Sequence, residues 1–212
     1  MGFETVSLTD VGPERNHNED SVYHGPVGNT RREDTRYSGT VSDVAIVAVA
    51  DGMGGHRAGD VASEEALDAF VEYLETNEWD TTEEARREVL TAAARAANKH
   101  LREMVAESPE LEGMGTTLVG AILEDGAATL VHVGDSRGYH LYDGDIDQVT
   151  TDQSLVQQLV EQGTIEPEEA DDHPQKNVLA QALGTDGDVE PDTSHPSLDD
   201  VWLLCSDGLR YE

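Results

Sequence analysis

The order of the predicted elements indicates an α+β fold with layered antiparallel sheets and helices gathered in one part of the chain. Strand-like stretches come first, two stretches with helical spacing of apolar residues follow, and further strand-like stretches complete the sequence. A doubly wound fold would alternate strands and helices throughout, which this pattern does not do. The chain has 212 residues, enough for one well-buried core, so we expect a single domain over residues 1–212.

The first part of the chain predicts three strands. Alternating character over residues 5–12 and 20–25 predicts two short strands around the polar turn PERNHNE. Residues 25–42 are polar and rich in turn formers, so we expect an exposed loop there. Residues 44–50 are continuously apolar, which predicts a buried strand that ends at Asp51.

Two amphipathic helices are predicted next. Apolar residues recur at spacings of three and four over residues 60–75, which predicts one helix face packed on the core. A second helix is expected to begin near Thr82, because Thr81 and Glu84 have the spacing of a capping box.

Strand periodicity returns after residue 116. The segments TTLVGAIL, AATLVHV, GYHLY and IDQVT are separated by the turns EDG and DGD and predict an antiparallel meander. SLVQQLVEQG predicts a short helix, IEPEEADDHPQKNV an acidic excursion punctuated by proline, and DVWLLCSDG one more buried strand.

The composition restricts the function classes. Asp and Glu number 45 against 13 Lys and Arg, a formal net charge of −32 that argues against nucleic-acid binding. Most of these acids are expected to form a solvated surface suited to high salt, which predicts a halophilic source and a protein that is less stable at low salt. The single cysteine, Cys205, excludes a disulfide framework and fits a reducing cytoplasm. The longest apolar run, residues 44–50, is too short to span a membrane.

Acidic residues recur where apolar strands end. Asp51, Asp135 and Asp207 follow three separate strands, and the pair Glu19-Asp20 precedes another. Each aspartate alone is typical of ordinary Asp-Gly turn chemistry. Adjacent strand ends lie about 5 Å apart, so ends that share one rim would bring several carboxylates together. Crowded carboxylates repel, and a hard divalent cation relieves that repulsion by binding their oxygens. Glycine beside the acid, as at Gly52 and Gly208, lets the backbone approach such an ion.

Two further features admit more than one interpretation. Arg15 either neutralises the acidic cluster or binds a phosphate oxyanion through its guanidinium fork. The glycines near Asp51 suggest a nucleotide loop only weakly, because Arg57 stands where a dinucleotide-binding loop needs its third glycine.

These residues resemble a known family. The segments GPERNHNEDS, VAVADGMGGHRAGDVAS, GMGTTL, VHVGDSRGYHLYDGD, HPQKNVLAQALG and VWLLCSDGL occur in the order found in the metal-dependent protein Ser/Thr phosphatases of type 2C, bacterial-type branch. The resemblance runs from about Thr5 to Leu209. It implies a sandwich of two antiparallel β-sheets flanked by helix pairs, with two Mg²⁺ or Mn²⁺ ions at one end and a flap over residues 154–183.

The resemblance also implies roles for individual residues. Asp51 would bridge the two ions, the Gly52 carbonyl would bind one of them, and Glu19 and Asp207 would ligate the other. The remaining implied roles are metal-bound waters held by Asp20, a weaker third ion ligated by Asp135 and substrate phosphate bound by Arg15. The implied reaction is direct hydrolysis of phosphoserine or phosphothreonine in proteins by a metal-activated water.

The sequence departs from the family pattern in two places. Met53 stands where some relatives have a histidine that is proposed to protonate the leaving group. His56 is a possible substitute, but a loop histidine is more often a polar surface residue, so we do not include it among the catalytic residues. The family continues past SDGL to an Asp-Asn motif that completes one metal site, whereas this sequence ends in LRYE, so we expect a weakened metal site and incomplete sheet. The leading hypothesis is therefore a monomeric cytoplasmic phosphatase acting on phosphoproteins, opposing a Ser/Thr kinase and impaired by truncation. The alternative is a pseudophosphatase that binds phosphoproteins or kinases without turnover.

Overall fold

The computed structural model describes residues 2–13, 15–26, 36–42, 44–54, 58–124, 126–196 and 201–209. The strands are β1 (Gly2–Leu8), β2 (Asp20–Pro26), β3 (Arg36–Ser42), β4 (Val44–Met53), β5 (Gly115–Thr116), β6 (Leu118–Glu124), β7 (Ala127–Val133), β8 (Arg137–Tyr142), β9 (Asp145–Gln148), β10 (Asp192–Ser194) and β11 (Val201–Cys205). The α-helices are α1 (Ala58–Thr76), α2 (Glu83–Glu107), α3 (Leu155–Glu161) and α4 (Pro167–Ala170).

The strands form one large sheet and two smaller ones, all antiparallel. The large sheet has the order β10-β7-β6-β4-β2, with β5 paired to the end of β4. The smaller sheets are β1-β3 and β11-β8-β9. Both pack on the same face of the large sheet, where Val41 of β3 and Leu204 of β11 join one apolar cluster with Ala45, Ala121 and Leu130.

The helices α1 and α2 cover the opposite face of the large sheet. The apolar face of α1, including Leu67 and Phe70, packs with that of α2, including Leu90 and Leu101, over Ile46 of β4. Because β4 lies between these two cores, both of its faces are covered, which explains its continuously apolar sequence. The predicted α+β sandwich of antiparallel sheets with flanking helices is confirmed.

Several element predictions are confirmed. The helix predicted over residues 60–75 is α1, the short helix after Ser154 is α3, and the last predicted strand is β11. The strand β11 was expected to be buried, and this is wrong, because only Cys205 of its five residues is buried. The turn DGD joins β8 to β9 with positive φ at Asp143 (50°) and Gly144 (90°), as a tight hairpin requires.

Residues 25–42 were expected to form an exposed loop, and this is wrong for Gly25 and Pro26, which end β2, and for the part from Arg36 onward. Arg36–Ser42 is strand β3, paired along its whole length with β1. The segment RYSGTVS carries weak strand character of its own, so its conformation is fixed by the partner strand. Residues 27–35 lie outside the described residues.

The predicted capping box is placed one residue too early. The helix begins at Glu83, and Thr82 is its N-cap, because the Thr82 side chain accepts a hydrogen bond from the backbone N–H of Ala85 at 3.2 Å. The carbonyl of Thr81 instead accepts a 2.7 Å hydrogen bond from the guanidinium of Arg86.

The predicted meander is divided between two sheets. The strands β6 and β7 belong to the large sheet, whereas β8 and β9 pair with β11 in a smaller one. Strand β10, which sequence periodicity did not predict, pairs with the outer edge of β7. The described part of the chain contains no helix that is both long enough and apolar enough to cross a bilayer.

Candidate functional site

The acidic residues predicted to converge come from two different sheets. Strand pairing places Asp20 of β2 directly opposite Asp51 of β4 in the large sheet. Asp207 begins a 3-10 helix, Asp207–Leu209, just after β11 of a smaller sheet. The carboxylates therefore do not all come from neighbouring strands of one sheet, because the sandwich brings in the end of a strand from the other layer.

Asp51 is the centre of this carboxylate cluster, which we define as Asp20, Asp51, Asp135 and Asp207. Burial raises the pKa of Asp51 to about 8, and the negative charges of Asp20, Asp207 and Asp135 add to that effect. A hydrogen bond with Asp207 acts in the same direction. The raised pKa means that the Asp51 carboxyl cannot be fully ionised near neutral pH unless positive charge is supplied to it.

Asp20 has a more balanced environment. Burial raises its pKa and the charge of Asp207 acts in the same direction, while hydrogen bonds from Ser206 and Asp51 and the charge of Arg15 oppose the shift. The Ser206 hydroxyl donates to Oδ2 of Asp20 at 2.6 Å, which fixes the orientation of that carboxylate. Ser206 was not singled out from the sequence, although its position directly before Asp207 in SDG was a usable signal.

Threonines hold the backbone of Asp51 in place. The strand β4 does not end at Asp51 as predicted but continues to Met53, and the break between β5 and β6 falls opposite Asp51. There the Asp51 N–H donates to Thr117 Oγ1 at 3.0 Å, and the Asp51 carbonyl accepts from Thr116 Oγ1 at 2.8 Å. Thr117 Oγ1 also lies 2.6 Å from the hydroxyl of Ser136. The sequence GTT was part of the resemblance, but its role in positioning Asp51 was missed.

Gly52 has no room for a side chain. A Cβ at this position would lie 2.1 Å from the carbonyl oxygen of Gly59 and 2.6 Å from that of Glu19. The Gly52 N–H donates to the Glu19 carbonyl at 3.0 Å, so three backbone segments meet at this point. Gly208, which follows Asp207 as Gly52 follows Asp51, has open space, with the nearest atom 4.0 Å from its Cβ position.

Glu19 and Arg15 lie at the edge of the cluster. Arg15 Nη1 is 3.0 Å from Glu19 Oε2, and the Arg15 side chain is 74% exposed. Of the two interpretations of Arg15, charge neutralisation describes its contact in this structure. The Glu19 carboxylate lies against the first turn of α1, since a Cβ at Gly59 would be 2.6 Å from Glu19 Oε1. His56 lies outside the described residues.

Asp135 lies deeper than the other members of the cluster. It is buried (8% exposed) in the GDSR turn between β7 and β8. Its charge contributes to the raised pKa of Asp51, so it belongs electrostatically to the same group. The structure therefore brings together Asp20, Asp51, Asp135 and Asp207, with Glu19 and Gly52 joined to them through the backbone.

The chemistry of this donor set fits a hard divalent cation. Its side chains offer carboxylate oxygens, the ligands that Mg²⁺ and Mn²⁺ prefer, and their mutual repulsion is the kind that a cation relieves. Among the described residues, however, no three acidic, histidine or cysteine side chains stand in a geometry already suited to hold an ion. Asp51 instead shares hydrogen bonds with Asp20 and Asp207.

Known proteins share the sequence pattern and the fold of this chain. A family model described as protein phosphatase 2C matches residues 24–210. The chain is 42% identical over 206 residues to the serine/threonine protein phosphatase PstP of Mycobacterium tuberculosis, which covers 96% of this chain and 36% of that protein. It is 43% identical over 204 residues to the serine/threonine phosphatase stp of Listeria welshimeri, covering 95% of this chain and 75% of the relative.

A solved structure shows the same fold. The catalytic domain of PstP in complex with two manganese ions superimposes with a TM-score of 0.75 at 38% identity, over 98% of this chain and 78% of that one. The chain thus spans about a third of the full length of the mycobacterial relative. A matching family model over most of the sequence and relatives above 40% identity establish that this chain belongs to the protein phosphatase 2C family.

Proposed function

We propose that this protein hydrolyses phosphoserine and phosphothreonine esters in other proteins with the help of divalent metal ions. The observation that carries the proposal is the carboxylate cluster, in which burial and three neighbouring acids raise the pKa of Asp51 to about 8. Ionised carboxylates that are buried next to one another repel, and this repulsion destabilises the folded protein. A role in binding cations explains why the four carboxylates lie together. The names of the relatives, which are serine/threonine phosphatases, support the same function.

The proposal assigns metal ligation to Asp51, Asp207, Glu19 and the Gly52 carbonyl, with water-mediated contacts for Asp20. Divalent ions bound there supply a water of lowered pKa and positive charge for the phosphoryl oxygens. Ser206 holds the Asp20 carboxylate, and Thr116 and Thr117 hold the Asp51 backbone, so the donors are fixed before substrate arrives. The PstP structure with two manganese ions supports two sites. The same proposal includes Mg²⁺ or Mn²⁺ as the bound ion and a weaker third site at Asp135.

Arg15 is assigned to the substrate phosphate. Its side chain is largely exposed and its single described contact is with Glu19, so it is free to turn toward an incoming phosphate. A guanidinium binds phosphate oxygens in a bidentate manner and stabilises the charge that spreads over them. The partners of the protein are then phosphoproteins and the Ser/Thr kinase that acts on them, and we propose that it works as a monomer in the cytoplasm.

The experiment that tests this function measures phosphate release from a phosphothreonine peptide and from p-nitrophenyl phosphate. We expect turnover in high salt with Mn²⁺, its loss on chelation, and a fall of at least about a hundredfold in Asp51→Asn. Asp186→Asn, which changes an exposed aspartate in another part of the chain, is the matched control. A folded protein with no metal-dependent turnover would favour the alternative, a phosphoprotein- or kinase-binding module, which the names of the relatives do not favour.

A further inference from the structure

The turn that carries Asp135 is attached to the rest of the protein on both sides of that residue. On one side, the Ser136 hydroxyl lies 2.6 Å from Thr117 Oγ1. On the other side, the backbone N–H and the backbone carbonyl of Gly134 both bond to Gln153. Because Asp135 lies between these two attachments, the position of its buried carboxyl depends on both of them.

Gln153 holds Gly134 with one side-chain and one backbone hydrogen bond. The Gly134 N–H donates to Oε1 of Gln153 at 3.0 Å, and the Gly134 carbonyl accepts from the Gln153 N–H at 2.7 Å. Gly134 has a φ of 104°, and a Cβ there would lie 2.7 Å from Cγ2 of Thr117. The turn therefore lies against the same threonine that accepts the Asp51 N–H.

The remaining polar groups of Gln153 bond to two other segments. Its Nε2 donates to Oδ2 of Asp192 in β10 at 2.7 Å, and its carbonyl accepts from the Ala180 N–H at 2.8 Å. An ionised carboxylate can only accept hydrogen bonds, so Asp192 requires Nε2 and leaves Oε1 to face the Gly134 N–H. The orientation of the side-chain amide is thus fixed by its two partners.

The carboxyl that this turn presents belongs to the carboxylate cluster. Asp135 is 8% exposed, and its charge contributes to the raised pKa of Asp51. A divalent ion binds tightly only when its oxygen ligands are held at the right distances, so groups that bond to the backbone of a ligand affect the affinity. Glycine is the most flexible residue, so Gly134 without its partner would let the neighbouring carboxyl move.

We propose that Gln153 is a positioning residue that fixes the turn at Gly134, so that the Asp135 carboxylate is held where it meets a divalent ion. The inference rests on the proposed function, because ion binding is the role assigned to Asp135. The polar groups of Gln153 are used by other residues of the protein, so Gln153 acts through Asp135 and not by contact with the ion.

The first test measures hydrogen exchange in the metal-free protein. Gln153→Met keeps the length of the side chain and removes both of its hydrogen bonds, so the Gly134 N–H loses its acceptor. We expect the Gly134 amide to exchange about tenfold faster, measured by NMR on isotope-labelled protein.

Gln181→Met is the matched control. Gln181 forms a similar clamp, since its Oε1 accepts from the Glu190 N–H at 2.8 Å and its Nε2 donates to the Glu190 carbonyl at 3.4 Å. These bonds lie outside the turn of Asp135. Gln181→Met should therefore leave the exchange rate of Gly134 within about twofold of the parent value.

The second test measures Mn²⁺ binding and needs no turnover. Free Mn²⁺ is measured by electron paramagnetic resonance while the ion is titrated into the protein in high salt. In Gln153→Met we expect the weakest class of Mn²⁺ site to lose about tenfold in affinity, and the tighter class to change by less than about twofold. Gln181→Met should bind Mn²⁺ as the parent protein does.

A pair of substitutions tests the contact with Asp192. Gln153→Glu keeps an acceptor for the Gly134 N–H but places a second carboxylate beside Asp192, so it should weaken Mn²⁺ binding as Gln153→Met does. Gln153→Glu/Asp192→Asn restores this hydrogen bond with donor and acceptor exchanged. The Mn²⁺ affinity of the double variant should return to within about threefold of the parent value.

Three results would overturn the inference: unchanged exchange of Gly134 in Gln153→Met, faster exchange with unchanged Mn²⁺ affinity, or a double variant that binds Mn²⁺ no better than Gln153→Glu. An equal loss at every Mn²⁺ site together with a lower melting temperature would also do so, because it would indicate a general structural effect. A parent protein that binds no Mn²⁺ would count against the proposed function, and the exchange of Gly134 would then decide alone whether Gln153 holds the turn.

Discussion

The negative charge of Asp51 destabilises the folded protein but is required for the proposed metal binding. Its carboxyl is half-buried near the end of β4, two residues before Met53, and Asp20, Asp135 and Asp207 surround it with negative charge. Asparagine has nearly the same shape and no charge. In the metal-free protein, Asp51→Asn should therefore raise the melting temperature at alkaline pH, and in the presence of Mn²⁺ it should abolish the proposed phosphatase activity.

The pH dependence of that stabilisation follows from the direction of the pKa shift. The folded protein holds a proton on Asp51 up to about pH 8, whereas the unfolded chain releases it near the ordinary value of 3.8. Because the folded state binds more protons over this interval, the contribution of Asp51 to stability falls as the pH rises. Melting curves of the metal-free proteins should show the advantage of Asp51→Asn widening between about pH 4 and about pH 8 and then staying constant. A constant difference over that interval would contradict the raised pKa.

Removing the Ser206 hydroxyl should weaken metal binding without unfolding the protein. Its hydroxyl donates a 2.6 Å hydrogen bond to Asp20, so Ser206→Ala leaves that carboxylate without its fixed orientation. We expect the Mn²⁺ concentration for half-maximal activity to rise about tenfold or more. Ser108→Ala is the matched control, because the Ser108 side chain makes no capping hydrogen bond to the helix it precedes. Equal Mn²⁺ dependence in both variants would show that Ser206 does not position Asp20.

At the scale of elements, the Asp-Gly pairs that begin at Asp51 and Asp207 look alike in sequence but differ in packing. An alanine side chain at Gly52 would collide with the carbonyls of Gly59 and Glu19, whereas one at Gly208 would meet open space. We expect Gly52→Ala to lower the free energy of unfolding by about 3 kcal/mol or more. Gly208→Ala should change it by less than about 0.5 kcal/mol, measured by urea denaturation. Similar losses in both variants would contradict the close approach of β4 and α1.

A buried ion pair ties the start of α2 to the far end of the large sheet. Arg86 Nη1 lies 2.8 Å from Glu124 Oε2, both side chains are nearly buried, and Arg86 also donates to Thr129 and to the Thr81 carbonyl. Arg86→Ala leaves the Glu124 carboxylate buried without its counter-charge, so we expect a loss of about 3 kcal/mol or more in unfolding free energy.

The matched comparison for Arg86 is Arg95, further along the same helix. Arg95 and its partner Glu190 are both more than half exposed, with 3.1 Å between Nη2 and Oε2. Arg95→Ala should cost less than about 1 kcal/mol. If Arg86→Ala and Arg95→Ala lower the free energy of unfolding equally, burial does not determine the strength of these ion pairs.

Sequence patterns predicted the helices and strands that are determined by their own residues. They missed those that are determined by contacts with distant segments of the chain. Helix α1 and the β8–β9 hairpin follow from periodicity and turn residues. Strand β3 exists because β1 pairs with it, and the choice of Thr82 over Thr81 as N-cap depends on where Arg86 anchors α2. Neither cause is visible in the segment itself.

At the scale of the whole molecule, the sequence predicted which residues form the carboxylate cluster but not which sheets supply them. The recurrence of aspartate after apolar strands identified Asp51, Asp135 and Asp207, and the motifs identified the family. The sequence does not reveal that Asp207 arrives from the second layer of the sandwich, because that depends on how β8 and β9 leave the large sheet to pair with β11. Thr117, which positions the Asp51 backbone, was missed for the same reason, whereas Ser206 directly precedes Asp207 in SDG and could have been found from the sequence.

The net charge of −32 predicts a strong dependence of stability on salt. Self-repulsion among solvated acids is screened to about 3 Å at 1 M salt, so the folded state should gain stability as salt is added. We expect the melting temperature to rise continuously with KCl concentration at neutral pH. A melting temperature that is insensitive to KCl would contradict the prediction that the acidic surface is adapted to high salt.

The central claim is that Asp51 and Asp207, from two layers of the sandwich, bind divalent ions together. The most direct test is a crystal of the protein grown with Mn²⁺ and measured at the manganese absorption edge. The account predicts anomalous peaks in contact with the carboxylates of both Asp51 and Asp207. Peaks confined to other parts of the surface, or a protein saturated with Mn²⁺ that shows none at this cluster, would contradict it.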